Sequence, residues 1–205
     1  MYQDFRLRLQ NFKVFTLTDI RKIDPKFYRH QLSGWQAKGF IKKLRRGYYL
    51  FADTALNEHA LYLIANHLYA PSYVSFEAAL SHYGLIPEGV YSISAASTKK
   101  TAKFVTPIAE FSYRQIKPSL FFGYQLEQHD GQGYKIAEME KAVLDYLYLH
   151  PRIVEDADFY EWRFNGEEFL AKADMAKLRA YAGLFKSKRM SERVERFLTL
   201  VQSTK

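Results

Sequence analysis

Nine side chains near the start of this chain share one kind of chemistry: Lys26, Arg29, His30, Ser33 and Gln36, followed by Lys42, Lys43, Arg45 and Arg46. Lysine and arginine neutralise phosphates, and histidine, serine, glutamine and arginine at helical spacing can hydrogen-bond to base edges. The pattern therefore points to a nucleic acid. The charge distribution agrees. Residues 1 to 51 hold twelve Lys or Arg against Asp4, Asp19 and Asp24, a net of +9, whereas residues 52 to 205 carry a net of −1 within a total of +8. A near-neutral body with one basic lobe suggests a polyanion partner for that lobe.

These residues need elements to hold them. Asp24-Pro25 reads as an N-cap and first helical residue, and Gly39 as a left-handed stop, which predicts a helix over 25–38. Tyr28, Gln31, Leu32 and Trp35 would form its packed side, with Trp35 under the segment that follows. That segment, 40–51, reads as a β-hairpin with Arg45-Arg46-Gly47 at its tip. Residues 2 to 11 supply a supporting helix on fold grounds, and Thr18 caps a short helix through Ile23. The expectation is an N-terminal winged helix-turn-helix over 1–51, its second helix in the major groove and its wing along the phosphates. The alternative is a small α/β lobe with a solvated basic face.

Beyond residue 51 the patterns predict helices at 57–69 and 76–83 and strands at 90–96, 104–105, 109–116, 121–128 and 134–137. Helices follow at 138–150, 159–164, 174–182 and 187–202. The expected fold is α+β: the basic lobe, then a mixed domain over 52–205 whose mostly antiparallel sheet is flanked by helices. With no apolar run of about 18 residues and no signal-peptide order at the start, the chain is expected to be soluble and cytoplasmic, with no membrane partner.

Catalytic and cofactor chemistry find little support. The six histidines, at 30, 59, 67, 82, 129 and 150, include no i, i+4 pair, and no cysteine is present, so no metal site is expected. Glu155, Asp156 and Asp158 read as a solvated helix start, and Asp130-Gly131-Gln132-Gly133 as a hairpin turn. Glu138, Glu140 and Lys141 lack a nuclease's Asp/Glu-x-Lys spacing. No phosphate loop or nucleophile elbow is present, so no enzyme and no cofactor are expected.

As a whole the chain resembles the AbiEi family of bacterial type IV toxin-antitoxin systems. The resemblance rests on Leu44-Arg45-Arg46-Gly47-Tyr48-Tyr49, Val74-Ser75-Phe76-Glu77-Ala78-Ala79-Leu80, Gly84-Leu85-Ile86-Pro87-Glu88, Val90-Tyr91-Ser92, Phe121-Phe122-Gly123-Tyr124 and Glu140-Lys141-Ala142. It covers about residues 5 to 150. It implies a winged helix that binds operator DNA and represses its own operon, and a C-terminal domain that counteracts a nucleotidyltransferase-like toxin encoded beside it. Two alternatives stay open: a stand-alone winged-helix regulator whose body senses a ligand or oligomerises, and a nucleic-acid enzyme tethered by the basic lobe.

Overall fold

A computed structural model describes residues 2–87, 92–154 and 156–203, the side chain of Tyr160 aside. Val90 and Tyr91 of the expected strand at 90–96, Glu88 of the resemblance and the acidic Glu155 lie outside the described residues. Punctuation in the first lobe is set by Thr16, Asp24 and Gly39. Helix α1 spans Tyr2–Arg8, a two-residue strand β1 spans Phe15–Thr16, and α2 spans Leu17–Ile23. Thr16, not Thr18, caps α2: its hydroxyl accepts the Asp19 N–H while the Asp19 carboxylate accepts the Thr16 N–H, a reciprocal capping box.

The helix expected over 25–38 is shorter, α3 at His30–Ala37. Asp24 is spent on a turn. Its N–H donates to Ile20 O, closing α2, and its carboxylate accepts the Lys26 N–H. The turn drives Phe27, 1% exposed, into the lobe core, and leaves Tyr28, expected to pack, 66% exposed. Burial of the phenyl ring outweighs an early helix start. Trp35 packs between Phe5 and Phe27 and edge-on to Tyr2, in the same core cluster as Ile41, Tyr49 and Phe51 of the hairpin. Gly39, at φ +70°, ends α3 as expected, and Phe40 N–H reaches back to Trp35 O at 2.9 Å. Strands β2 (Ile41–Arg45) and β3 (Tyr48–Phe51) form the hairpin, and β1 pairs with β3 to give a three-stranded antiparallel sheet.

The body follows with α4 (Glu58–Leu68), capped by Asn57, then β4 (Ser72–Val74), α5 (Phe76–His82), β5 (Ser92–Ser97), β6 (Ala102–Val105) and β7 (Glu110–Gln115). A 3-10 turn at Pro118–Leu120 precedes β8 (Tyr124–His129) and β9 (Gln132–Ala137), joined by the expected Asp130-Gly131 turn. Five helices close the chain: α6 (Met139–Leu149), α7 (Asp156–Glu161), α8 (Gly166–Lys172), α9 (Met175–Leu184) and α10 (Lys188–Ser203). The sequence reading lacked α8.

The six strands are ordered β6-β7-β5-β4-β9-β8, with β5/β7 and β4/β9 parallel and the other three pairs antiparallel. The chain is thus α+β with a mixed sheet in which antiparallel pairs outnumber parallel ones. Helices cover both faces. Tyr113, opposite Ala95, donates to Ala65 O of α4 on one face, while the neighbouring Ser94 accepts the Ala78 N–H of α5 on the other. The lobe has its own core around Phe5, Phe15, Phe27, Leu32, Trp35 and Phe51. Val14, Leu44 and Leu50, from the lobe's strands and the approach to them, belong instead to the body's core, so the hairpin packs on the body with one face.

Candidate nucleic-acid interface

Helix α3 buries Leu32 and Trp35 and turns His30, Ser33, Gly34, Gln36 and Ala37 to solvent. The outward ridge is made of small and polar residues with no carboxylate, which allows close approach of a second surface. His30 stacks on the exposed Tyr28 ring at 5.8 Å. Arg29 occupies the position just before the helix and Lys26 the preceding turn, so neither lies on the helical face to which the sequence assigned it. Both remain exposed.

The hairpin divides its four basic residues between two faces. Lys43 is exposed and opposes Tyr49, a member of the lobe core, and Arg46 is exposed at the turn. Lys42 is half-buried opposite Leu50, on the face turned to the body. Arg45 is also half-buried: its guanidinium lies 4.5 Å from the Tyr48 ring and 4.8 Å from the ring of Phe104 on β6. It is used in joining the hairpin to the body.

What remains is a set of cations without counter-ions. The acids of the lobe are engaged: Asp4 pairs with Arg8, Asp19 with Thr16 and Lys22, Asp24 with the backbone, and Asp53, just beyond, with Arg6. Lys26, Arg29, Lys43 and Arg46 have no ion-pair partner among the described residues. Such a surface can neutralise phosphates and donate hydrogen bonds.

Two polar groupings in the body escaped the sequence reading. Lys141 is fully buried on α6, where its ammonium pairs with Asp145 and donates to Tyr73 Oη at 2.8 Å; Tyr73 and Ser75 in turn donate to Asp145 at 2.7 and 2.9 Å. Burial pushes the Lys141 ammonium below its ordinary value, opposed by the Asp145 carboxylate. Tyr73 is held well above its own, by burial and then by Asp145. With both charged side chains at 0% exposure, the network is closed to substrate. The signal was present as Lys141 and Asp145 at i, i+4 among buried residues. The second grouping gathers His59, His82 and His129, with ring centroids 5.8 and 5.7 Å from His59. His59 Nδ1 lies 2.6 Å from Tyr134 Oη, and His129 is beside Asp130, which pairs with Lys13 of the lobe at 2.8 Å. No local spacing announced this. Among the described residues no His, Asp and Glu group is arranged to hold a metal ion, and no helix is long and apolar enough to cross a membrane. No family model and no curated protein matches the chain.

Proposed function

We propose that the chain is a two-part antitoxin of the AbiEi type, which represses its own operon through the lobe and counteracts a nucleotidyltransferase-like toxin through the body. The observation that carries the DNA half is the set of unpaired cations at the start of α3 and on the outer face of the hairpin. Three helices followed by a β-hairpin, with the third helix exposed along a small polar ridge, support a winged helix-turn-helix in which α3 enters the major groove and the hairpin follows the phosphates. His30, Ser33 and Gln36 are then the base-edge candidates. Such a role belongs in the cytoplasm, with the operator.

The toxin half rests on the resemblance and on the character of the body: near-neutral, rich in aromatic residues, and with its most buried charges closed among themselves. A second reading, a regulator whose body senses a small molecule, is favoured by one feature. A cleft of about 780 Å³ between α7, α8 and α10 is lined by Phe159, Phe164, Leu170 and Phe197 with Arg163 and Glu167 at its polar side. That volume and lining suit a small ligand.

Full-length variants separate the readings, because cutting after residue 51 would strip Leu44 and Leu50 from the body's core. The triple variant R29A/K43A/R46A should lose repression of a reporter behind the chain's own promoter, yet still rescue growth when co-expressed with the product of the adjacent gene. Loss of rescue in a well-folded triple variant would refute the division of labour. Absence of rescue by the wild-type chain would remove the antitoxin reading and leave the ligand-sensing regulator.

A further inference from the structure

Arg29 and Arg46 come from different elements, the approach to α3 and the hairpin tip, yet both line one cleft of about 350 Å³ with Leu17, Leu32, Gly47 and Tyr49. No carboxylate lines it, and neither guanidinium has an ion-pair partner among the described residues. Gly47, at φ +89°, permits the tight tip that brings Arg46 to this position. Tyr49 adds a third group: its ring is 6% exposed, and its hydroxyl makes no hydrogen bond among the described residues. The cleft thus offers two guanidinium forks and a phenol over the leucines Leu17 and Leu32, and its two charges are of like sign.

Two like charges beside one cleft repel each other unless an anion lies between them, and a guanidinium fork matches the paired oxygens of a phosphate. The apolar floor lowers the local dielectric and strengthens whatever ion pair forms. From this geometry we infer that Arg29 and Arg46 grip a single phosphodiester of the DNA backbone, with Tyr49 as an auxiliary donor. Arg29 is then a backbone-gripping residue and not a reader of bases, and it locks the start of α3 and the hairpin tip to the same point on the duplex. The inference rests on the DNA-binding reading above and adds to it a shared seat.

The counter-ions released on binding test this, because two arginines on one phosphate count once. Full-length wild type, R29A, R46A, R29A/R46A and Y49F would be titrated against the duplex upstream of the chain's own gene and a scrambled duplex of equal length. Fluorescence anisotropy over a series of KCl concentrations gives affinity and salt slope, and thermal unfolding checks each fold. Each single arginine variant should weaken both duplexes by about tenfold, the scale of a charge-assisted hydrogen bond, with the slope of log K against log[KCl] nearly unchanged, because the other arginine still neutralises the shared phosphate. The double variant should lower the slope by about 0.9, one phosphate's worth, and Y49F should lose some affinity with the slope unchanged. A slope lower by about 0.9 in each single variant, and by about twice that in the double, overturns the shared seat, as does an R29A defect confined to the upstream duplex. A wild-type chain that binds neither duplex at low salt removes the DNA reading itself, an outcome distinct from either.

Discussion

In the lobe, Arg29, Lys43 and Arg46 are exposed and have no ion-pair partner among the described residues, whereas in the body Lys141 is fully buried and reaches Asp145 and Tyr73 at once. The same residue class serves opposite ends. A charge that is desolvated and fully hydrogen-bonded within the chain has nothing left to offer a partner, and removing one member leaves the other stranded. A charge left unpaired at the surface contributes little to folding and is available for an outside anion. The comparison teaches that the number of cations in a region is a weaker guide to a polyanion site than the number of its carboxylates that remain free to cancel them.

The strongest way to break this comparison is to open the closed network. Asp145→Ala strands the Lys141 ammonium and removes the acceptor of Tyr73 and Ser75, so it should cost about 3–5 kcal/mol in urea unfolding. Lys141→Met together with Asp145→Leu should recover a good part of that, since a well-packed apolar pair carries no desolvation penalty. A single variant that costs under about 1 kcal/mol would show that the pair is not integral to the body, and the contrast with the lobe would fail.

How much of this was legible beforehand follows from the range of each interaction. Gly39, the Arg46-Gly47 tip and Asp130-Gly131 were readable because a left-handed backbone is a local demand that few residues meet. The start of α3 was not, because the carboxylate of Asp24 can cap a helix or close a turn, and only the lobe core, by taking Phe27, decides between them. The cap of α2 was read at Thr18 and lies at Thr16, because only the folded backbone decides which hydroxyl meets the Asp19 N–H. The basic residues of the interface were legible by type and position, but the division of the hairpin into two faces was not: Lys42 and Arg45 depend on where Leu50 and Phe104 lie. His59, His82 and His129 meet only through the sheet, so no spacing could announce them.

A smaller effect sharpens the comparison within the hairpin itself. Arg45→Ala removes the guanidinium from Tyr48 and Phe104 and should lower stability by about 1 kcal/mol while leaving DNA affinity nearly unchanged. Lys43→Ala should do the reverse: stability within about 0.5 kcal/mol of wild type, and a salt slope shallower by about 0.9. Equal affinity losses at equal stability would mean that both faces of the hairpin meet DNA and that the assignment of Arg45 to the body contact is wrong.

A last effect, confined to the lobe, concerns Asp19, whose carboxylate is tied into a capping box as well as an ion pair. Burial pushes the Asp19 carboxyl up, but hydrogen bonds from the Thr16 hydroxyl and N–H, with Lys22 nearby, outweigh it and hold the group below its ordinary value of 3.8. A carboxyl depressed in the folded state stabilises the fold above its unfolded-state value, and the contribution is lost as pH falls through the folded-state value. Asp19→Ala should therefore cost about 1 kcal/mol near neutral pH, the scale of a lost helix cap. The gap between wild type and variant should shrink as pH drops below about 4, where an ordinary aspartate takes up its proton. Urea titrations of both proteins at a series of pH values from neutral downwards give the gap directly. A difference that stays constant or widens in acid would show that Asp19 acts through packing and not through its charge, and Asp19 would then cease to be an example of a lobe carboxylate held by the fold and unavailable to neutralise Arg29 and Arg46.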